Sequence, residues 1–284
     1  MQFKHFLITQ FNLLQFPLGK ELKKGEEWIN WTRERIDLFK EYCLPSLDQQ
    51  SCNNFTWLIY FDEQTPNEFN WIIDELKTRD YIKVCFSKGN DGFMKDHISD
   101  IRLLSEGAEW IISSRIDNDD VFHKDAINVI QDAFRPTDEF MVSLTSGYTL
   151  NLQTLQMGHY YYPECPFISI IEKREKEGLK SIFYKSHTHW DQLKLKVVNE
   201  LFKKNKKTTF IIDQPYWIQL VHGKNVSNSE KRGFPIIKQK DLSAFNLVIK
   251  NKKQSLWSIP SFYTYPRWKR YFKVFLIKLF NCRN

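Results

Sequence analysis

Cysteine, glycine and uninterrupted apolar sequence are all scarce in this chain of 284 residues. The five cysteines, Cys43, Cys52, Cys85, Cys165 and Cys282, are odd in number, scattered and never arranged as CxxC. That excludes a disulfide framework and a cysteine zinc site. With only ten Gly and ten Pro, collagen-like and low-complexity classes are excluded as well. No apolar run approaches the roughly 20 residues that cross a bilayer. The run after Met1 is too short for a signal h-region, so a first strand of an unprocessed, cytosolic protein is expected there. Acids nearly vanish from the end: residues 231–284 hold 13 Lys+Arg and one acid, Asp241, whereas residues 1–230 hold 28 basic and 33 acidic residues. A slightly acidic body with a basic extension points to an anionic surface as partner.

Aromatic residues are abundant at 15%, enough to furnish a sizeable core. Short apolar runs alternate with helical patterns. Strands are expected at Phe6–Ile8, Trp57–Phe61, Tyr81–Phe86 and Trp110–Ile112. Helices are expected over 28–50 (with Pro45 interrupting its end), from Pro66 to about Lys77, and over 96–107. The segment 88–92 reads as a turn. This alternation predicts an α/β fold with a mainly parallel, Rossmann-like sheet. Beyond residue 136 the pattern predicts strands or a hairpin around Gly147 and helices near 169–177 and 193–203. After Pro266, Trp268, Tyr271, Phe272, Phe275 and Leu279 form an apolar stripe flanked by Arg267, Lys269, Arg270, Lys273 and Lys278, a basic amphipathic helix.

The sharpest chemical signal is Ser113-Ser-Arg-Ile-Asp-Asn-Asp-Asp120, directly after a predicted buried strand. Ligand sites in open α/β sheets lie at the carboxyl ends of strands. Alternate residues of extended backbone point the same way, so Asp117 and Asp119 can converge. Carboxylates this close repel unless something positive lies between them. A hard divalent cation, Mn2+ or Mg2+, suits them, and Arg115 could steady a carboxylate or a phosphate. The plainer alternative is an acidic turn in which Asp119 or Asp120 caps the next helix.

With its strand–turn–helix–strand setting, this run resembles the nucleotide-sugar half of GT-A glycosyltransferases. Other phrases resemble a bacterial family labelled rhamnosyltransferase: Leu7-Ile-Thr-Gln-Phe-Asn12, Trp31-Thr-Arg-Glu-Arg35, Tyr42-Cys-Leu-Pro-Ser-Leu47, Phe55-Thr-Trp-Leu-Ile-Tyr-Phe-Asp-Glu63, Arg115-Ile-Asp-Asn-Asp-Asp120 and Val221-His-Gly-Lys-Asn-Val-Ser-Asn228. The resemblance spans roughly residues 3–230. It implies a GT-A fold and transfer of a sugar, rhamnose by the family label, from a nucleoside-diphosphate donor to a cell-surface polysaccharide or lipid-linked glycan. It also implies that Asp117 and Asp119 face metal and diphosphate, with Asp62 and Thr9 beside the donor. A late His, His222, would complete the metal shell, and an acid of the second half, Asp191, would act as base. The donor half would be 1–135, the acceptor half 136–230, and 231–284 a basic extension.

Other candidates are more open. Arg35 and Arg102 could pair with phosphates or lie on solvated helix faces. In His187-Thr-His-Trp-Asp191, Trp190 could stack on a sugar, or His187, His189 and Asp191 could bind zinc. Lys224 could reach the diphosphate, while His222 could equally be a surface residue of a capped turn. The aromatic stretch Tyr160–Phe167 could form an acceptor wall, a lid or core packing. For the extension, an anionic inner-membrane face and a glycolipid acceptor are the expected partners. No zinc finger, RNP motif or helix-turn-helix supports nucleic acid. A non-catalytic sugar- or nucleotide-binding protein is the alternative function.

Overall fold

The computed structural model describes residues 2–14, 25–163, 165–175, 177–184, 207–222, 234–236 and 238–249, and positions 272, 275, 276, 278 and 279. The expected helix over 193–203 lies outside the described residues. Strands β1 (Phe3–Gln10), β2 (Thr56–Asp62) and β4 (Trp110–Arg115) are buried along most of their length because both faces of the sheet are covered there, whereas β3 (Ile82–Ser87) is the edge strand and leaves Lys83 and Phe86 exposed. They lie parallel in the order β3-β2-β1-β4. Strand order reverses at β1, which makes the carboxyl ends of β1 and β4 the position where open α/β sheets place their ligands.

Helix α1 (Glu26–Leu38) follows β1 and continues through one π-helical turn, Phe39–Cys43, into α2 (Leu44–Asp48). Pro45 sits in the first turn of α2 and does not end the helix. The widened turn before it, where Leu44 N–H reaches Phe39 O, fits a residue without an amide proton. Helix α3 (Asn70–Lys77) joins β2 to β3. Helix α4 (Gly89–Leu104) starts earlier than expected: the segment 88–92 opens it, with Gly89 at φ +61° making the sharp entry from β3. Helix α5 (Ala126–Asp132) completes the first half.

Three more strands extend the large sheet: β6 (Phe140–Leu144), β9 (Ile168–Lys173) and β10 (Thr208–Ile211), in the order β10-β6-β9-β4. The predicted helix near 169–177 is therefore a strand. Ile168, Ile170 and Ile171 are β-branched and buried, and β9 pairs antiparallel with β4 and β6 on either side. A second sheet, ordered β12-β8-β7-β11-β5, contains β5 (Asp120–Phe122), β7 (Ser146–Asn151), β8 (Met157–Tyr161), β11 (Trp217–Val221) and β12 (Phe234–Pro235). No hairpin turns at Gly147, because β6 and β7 belong to different sheets. The antiparallel neighbour of β7 is β8. Gly147 lies opposite Trp217 of β11, and a Cβ there would come within 2.1 Å of the buried indole. The mainly parallel, helix-flanked large sheet is the α/β architecture expected of a GT-A domain.

A buried polar chain anchors the base of the switch point. Gln131 Nε2 donates to Asn54 O (2.8 Å), which fixes its amide orientation, and also to His5 Nδ1 (3.3 Å). His5 Nδ1 must therefore accept, so the ring is neutral and its Nε2–H donates to Ser114 Oγ (2.7 Å). Burial pushes His5 down to about 3. Between pH 3 and the unfolded value near 6.5, the unfolded chain binds the proton and the folded one does not. Stability therefore falls as pH drops through that window. Unfolding free energy measured from pH 6.5 to 4 should rise with pH. In His5→Asn the slope should be shallower by up to about 1.4 kcal/mol per pH unit; an unchanged slope would contradict the neutral assignment.

Candidate active site

The acidic run lies where the chain leaves one sheet for the other. Strand β4 ends at Arg115 in the large sheet, β5 begins at Asp120 in the small one, and Ile116–Asp119 is the link. Its backbone is tied to the neighbouring end of β1. Ile116 N–H donates to Ile8 O (3.2 Å), Thr9 Oγ donates to Ile116 O (2.8 Å) and Asn118 Nδ2 donates to Phe11 O (2.8 Å). A turn closes where Asp120 N–H meets Asp117 O (3.1 Å). From the helix side, the buried thiol of Cys43 lies 3.7 Å from Asp117 O. The capping alternative for Asp119 and Asp120 fails, since a strand follows them and the next helix starts only at Ala126.

The three carboxylates are handled in three ways. Asp117 is half-exposed and takes an ion pair from Arg115 Nη2 at 2.7 Å. Asp119 is nearly buried, and its Oδ2 receives both the Arg35 guanidinium and His222 Nε2, the latter at 3.0 Å. Burial alone would raise Asp119; the hydrogen bond from His222 and the charge of Arg35 outweigh it and hold this carboxyl below the usual range. Asp120 is fully buried, and its Oδ1 has no hydrogen-bond partner among the described residues. Burial, reinforced by Asp119 and Asp117, pushes it well above the usual carboxylate range. Repulsion within the run is thus relieved by two arginines and by the proton Asp120 favours.

The arginines are themselves positioned. Arg35, on α1, lies over the Trp31 ring at 5.2 Å, one helical turn earlier, and its side chain is only 11% exposed. Nη1 also lies 3.4 Å from Asn118 Oδ1, whereas Nε and Nη2 make no hydrogen bond among the described residues. Arg115 lies over the Phe183 ring at 5.3 Å, with its Nε buried and without a hydrogen-bond partner among the described residues. Both guanidinium groups therefore hold one aspartate and keep donors in reserve, as an anion-binding site requires.

The remaining candidates fall into place differently. Thr9 is fully buried, with its hydroxyl engaged by Ile116 O and the Trp57 indole N–H (2.9 Å), so it fixes the link. Asp62 ends β2, and its carboxylate accepts from the backbone N–H of Leu14 (3.0 Å), Gly89 (3.1 Å) and Gln64 (3.0 Å). It joins the start of the loop after β1 to the N-terminus of α4, where a negative charge is favoured. Arg102 sits in the last turn of α4, where its carbonyl accepts from Arg174 Nη2 (3.3 Å) beside the amino end of β4, the opposite end of that strand from the acidic link. Asp191, Lys224, His187, His189 and Trp190 lie outside the described residues. Arg35 was only weakly legible from sequence, its signal being the Trp31–Arg35 spacing of a cation stacked along one helix face. Asn12, which ends the Leu7–Asn12 phrase of the family resemblance but had no role assigned from sequence, braces Asp62, its Oδ1 accepting from Asp62 N–H (3.0 Å).

Among the described residues, no three His, Cys, Asp or Glu side chains form a metal cage. A hard divalent ion seldom needs one, because Mg2+ keeps waters and takes one or two carboxylates plus substrate phosphates. Asp119 with His222 is a carboxylate–imidazole pair of suitable chemistry, and Asp117 stands two residues before it.

Residues 28–233 match the family model described as Putative rhamnosyl transferase. The chain belongs to this family, which places it among the glycosyltransferases. Comparison with curated proteins finds no match. Among solved structures, the chain is similar to S. aureus TarS 1-349, with 13% identity, 78% of this chain and 60% of that chain covered, and a TM-score of 0.43. It is similar to HddC from Yersinia pseudotuberculosis at 13% identity, covering 76% of this chain and 93% of that one, with a TM-score of 0.34. It is also similar to the inositol-1-phosphate CTP transferase from T. maritima, at 11% identity, 77% and 89% coverage, and a TM-score of 0.33. The match thus spans 60% of the length of TarS 1-349.

Asp62 separates an architectural role from a ligand-binding one. Asp62→Ala would strand three backbone amides and should cost on the order of 3 kcal/mol in denaturant unfolding. A variant of unchanged stability would remove it from the scaffold.

Proposed function

We propose that this protein transfers a sugar from a nucleoside-diphosphate sugar to a glycan or lipid-linked acceptor, with the donor diphosphate bound at the link between β4 and β5. The observation that carries this reading is the Arg35–Asp119–His222 cluster beside the Arg115–Asp117 pair, at the switch point of a mainly parallel sheet. The family label makes rhamnose the first sugar to test.

Sugar transfer breaks the bond between the anomeric carbon and the diphosphate, and negative charge gathers on the departing oxygens. Preorganised donors aimed at that charge lower the barrier, and the reserve N–H groups of Arg115 and Arg35 are such donors. Asp119 and His222, with Asp117 close by, would hold Mn2+ or Mg2+. When bound, such an ion supplies Lewis-acid neutralisation of the phosphate oxygens. Asp117 is the exposed member of the acidic run and is accessible to a ligand entering from solvent. Removal of the acceptor's hydroxyl proton is assigned to Asp191 as general base, and Lys224 to the diphosphate.

The basic extension is read as a membrane-surface element. Positions 272, 275, 276, 278 and 279 are helical, with Phe272 and Phe275 each 60% exposed and Leu279 at 40%, while Leu276 packs on the core. Exposed aromatics on a helix within a basic segment suit an anionic lipid interface. No helix among the described residues is long and apolar enough to cross a membrane. Phe272→Ser with Phe275→Ser should reduce co-sedimentation with phosphatidylglycerol vesicles by about tenfold or more. Undiminished sedimentation would remove the helix from that role.

A thermal-shift panel of nucleotide sugars with and without Mn2+, followed by assay of released nucleoside diphosphate, tests the activity. One donor should stabilise the protein. Asp119→Asn should lower turnover of that donor by about 100-fold or more. Turnover at the wild-type rate in this variant would end the proposal.

A further inference from the structure

The counter-charge of Asp119 is an arginine held in place by its own helix. The carboxylate oxygen Oδ2 already receives two donors, Arg35 and His222, in a nearly water-free setting. A divalent ion that binds Oδ2 from the side of these donors takes the place of at least one of them. Pulling a guanidinium off a buried carboxylate is unfavourable unless the guanidinium gains another acceptor. Arg35 cannot easily leave for bulk solvent, because its side chain is only 11% exposed and stacks on Trp31. Its Nε and Nη2 are already without hydrogen-bond partners among the described residues. A phosphate group arriving beside Asp119 would meet a planar fork with donors to give.

Resting on the function proposed above, we infer that Arg35 is a resident counter-ion of Asp119 that a divalent cation must displace, and that it transfers its hydrogen bonds to the donor's diphosphate. Metal and diphosphate then help each other to bind. The ion releases Arg35 from Asp119, and the diphosphate gives Arg35 a new partner. A metal ion without diphosphate leaves the arginine buried and unpaired, so it binds weakly. This is a coupling between two ligands through one side chain, and it acts reciprocally on both affinities. Arg35 is a binding and positioning residue in this scheme, distinct from the acceptor-activating base.

The signature is a pair of changes of opposite sign, which a purely structural role for Arg35 would not produce. Mn2+ uptake by the full chain without nucleotide is followed through the electron paramagnetic resonance signal of the free ion. Separately, pyrophosphate binding is measured by calorimetry in the presence of EDTA, a probe that does not depend on the base of the donor. Arg35→Gln should bind Mn2+ about tenfold tighter than wild type and pyrophosphate about tenfold weaker. The reciprocal variant Asp119→Asn frees Arg35 of its partner. It should bind pyrophosphate several-fold tighter and lose Mn2+, and it serves the test even where Arg35→Gln folds poorly.

If Arg35→Gln weakens both ligands, or leaves either unchanged while its melting temperature is preserved, the inference is overturned. If Asp119→Asn abolishes Mn2+ uptake while Arg35→Gln moves nothing, only this inference falls. If wild-type protein takes up neither Mn2+ nor pyrophosphate when the two are supplied together, the proposed function falls with it.

Discussion

The geometry of the site depends on how three neighbouring carboxylates are kept together at a sheet junction. Asp117, Asp119 and Asp120 occupy four consecutive positions that also carry the chain from one sheet to the next. Left alone they would repel and splay. The fold resolves this with different devices at each position: an exposed ion pair, a buried pair of donors, and a buried carboxyl whose proton is favoured by its surroundings. The same devices leave the Arg115 Nε without a hydrogen-bond partner among the described residues, and the proposed anion site draws on that donor.

This arrangement ties architecture to chemistry. The link is short because β4 and β5 belong to different sheets, and it is rigid because the end of β1 holds it through Thr9, Phe11 and Asn118. Helix α1, with its π-helical turn, brings Arg35 and Cys43 against it. Strand β11 pairs with β5, and residue 222 follows directly from its end, which delivers His222 to Asp119 across more than a hundred residues of sequence. Each participant reaches the site from a different element, so the constellation exists only in the folded chain.

The sequence showed some of this clearly and hid the rest for physical reasons. Buried parallel strands announce themselves as apolar runs, so β1 to β4 were legible, with β1, β2 and β4 expected shorter than they are and β3 displaced by one residue. The acidic run was legible because carboxylates rarely cluster at a strand end without purpose. The helix expected near 169–177 is strand β9 over 168–173. Its isoleucines favour a strand only when neighbours on both sides exist, and those neighbours are distant in sequence. Segment 88–92 looked like a turn because its Gly and Asn residues are turn formers, but they start α4, with the Asp62 carboxylate accepting from the buried amide of Gly89. Thr9 and Asp62 were placed beside the donor by family resemblance, yet their polar atoms are engaged by the scaffold. Arg35 stood in the sequence as either a phosphate partner or a solvated residue, because a surface arginine and a buried one look alike until a partner such as Asp119 arrives from elsewhere in the fold.

The central claim is that the link between β4 and β5 is a diphosphate site whose charge is balanced by Arg35 and Arg115. Diffraction from crystals grown with Mn2+ and a nucleoside diphosphate tests it most directly. Anomalous density within ligand distance of Asp119 and His222, with phosphate oxygens on the guanidinium groups of Arg35 and Arg115, is the predicted result. A nucleotide lodged elsewhere, with Arg35 still paired to Asp119 and no manganese beside it, would contradict the account.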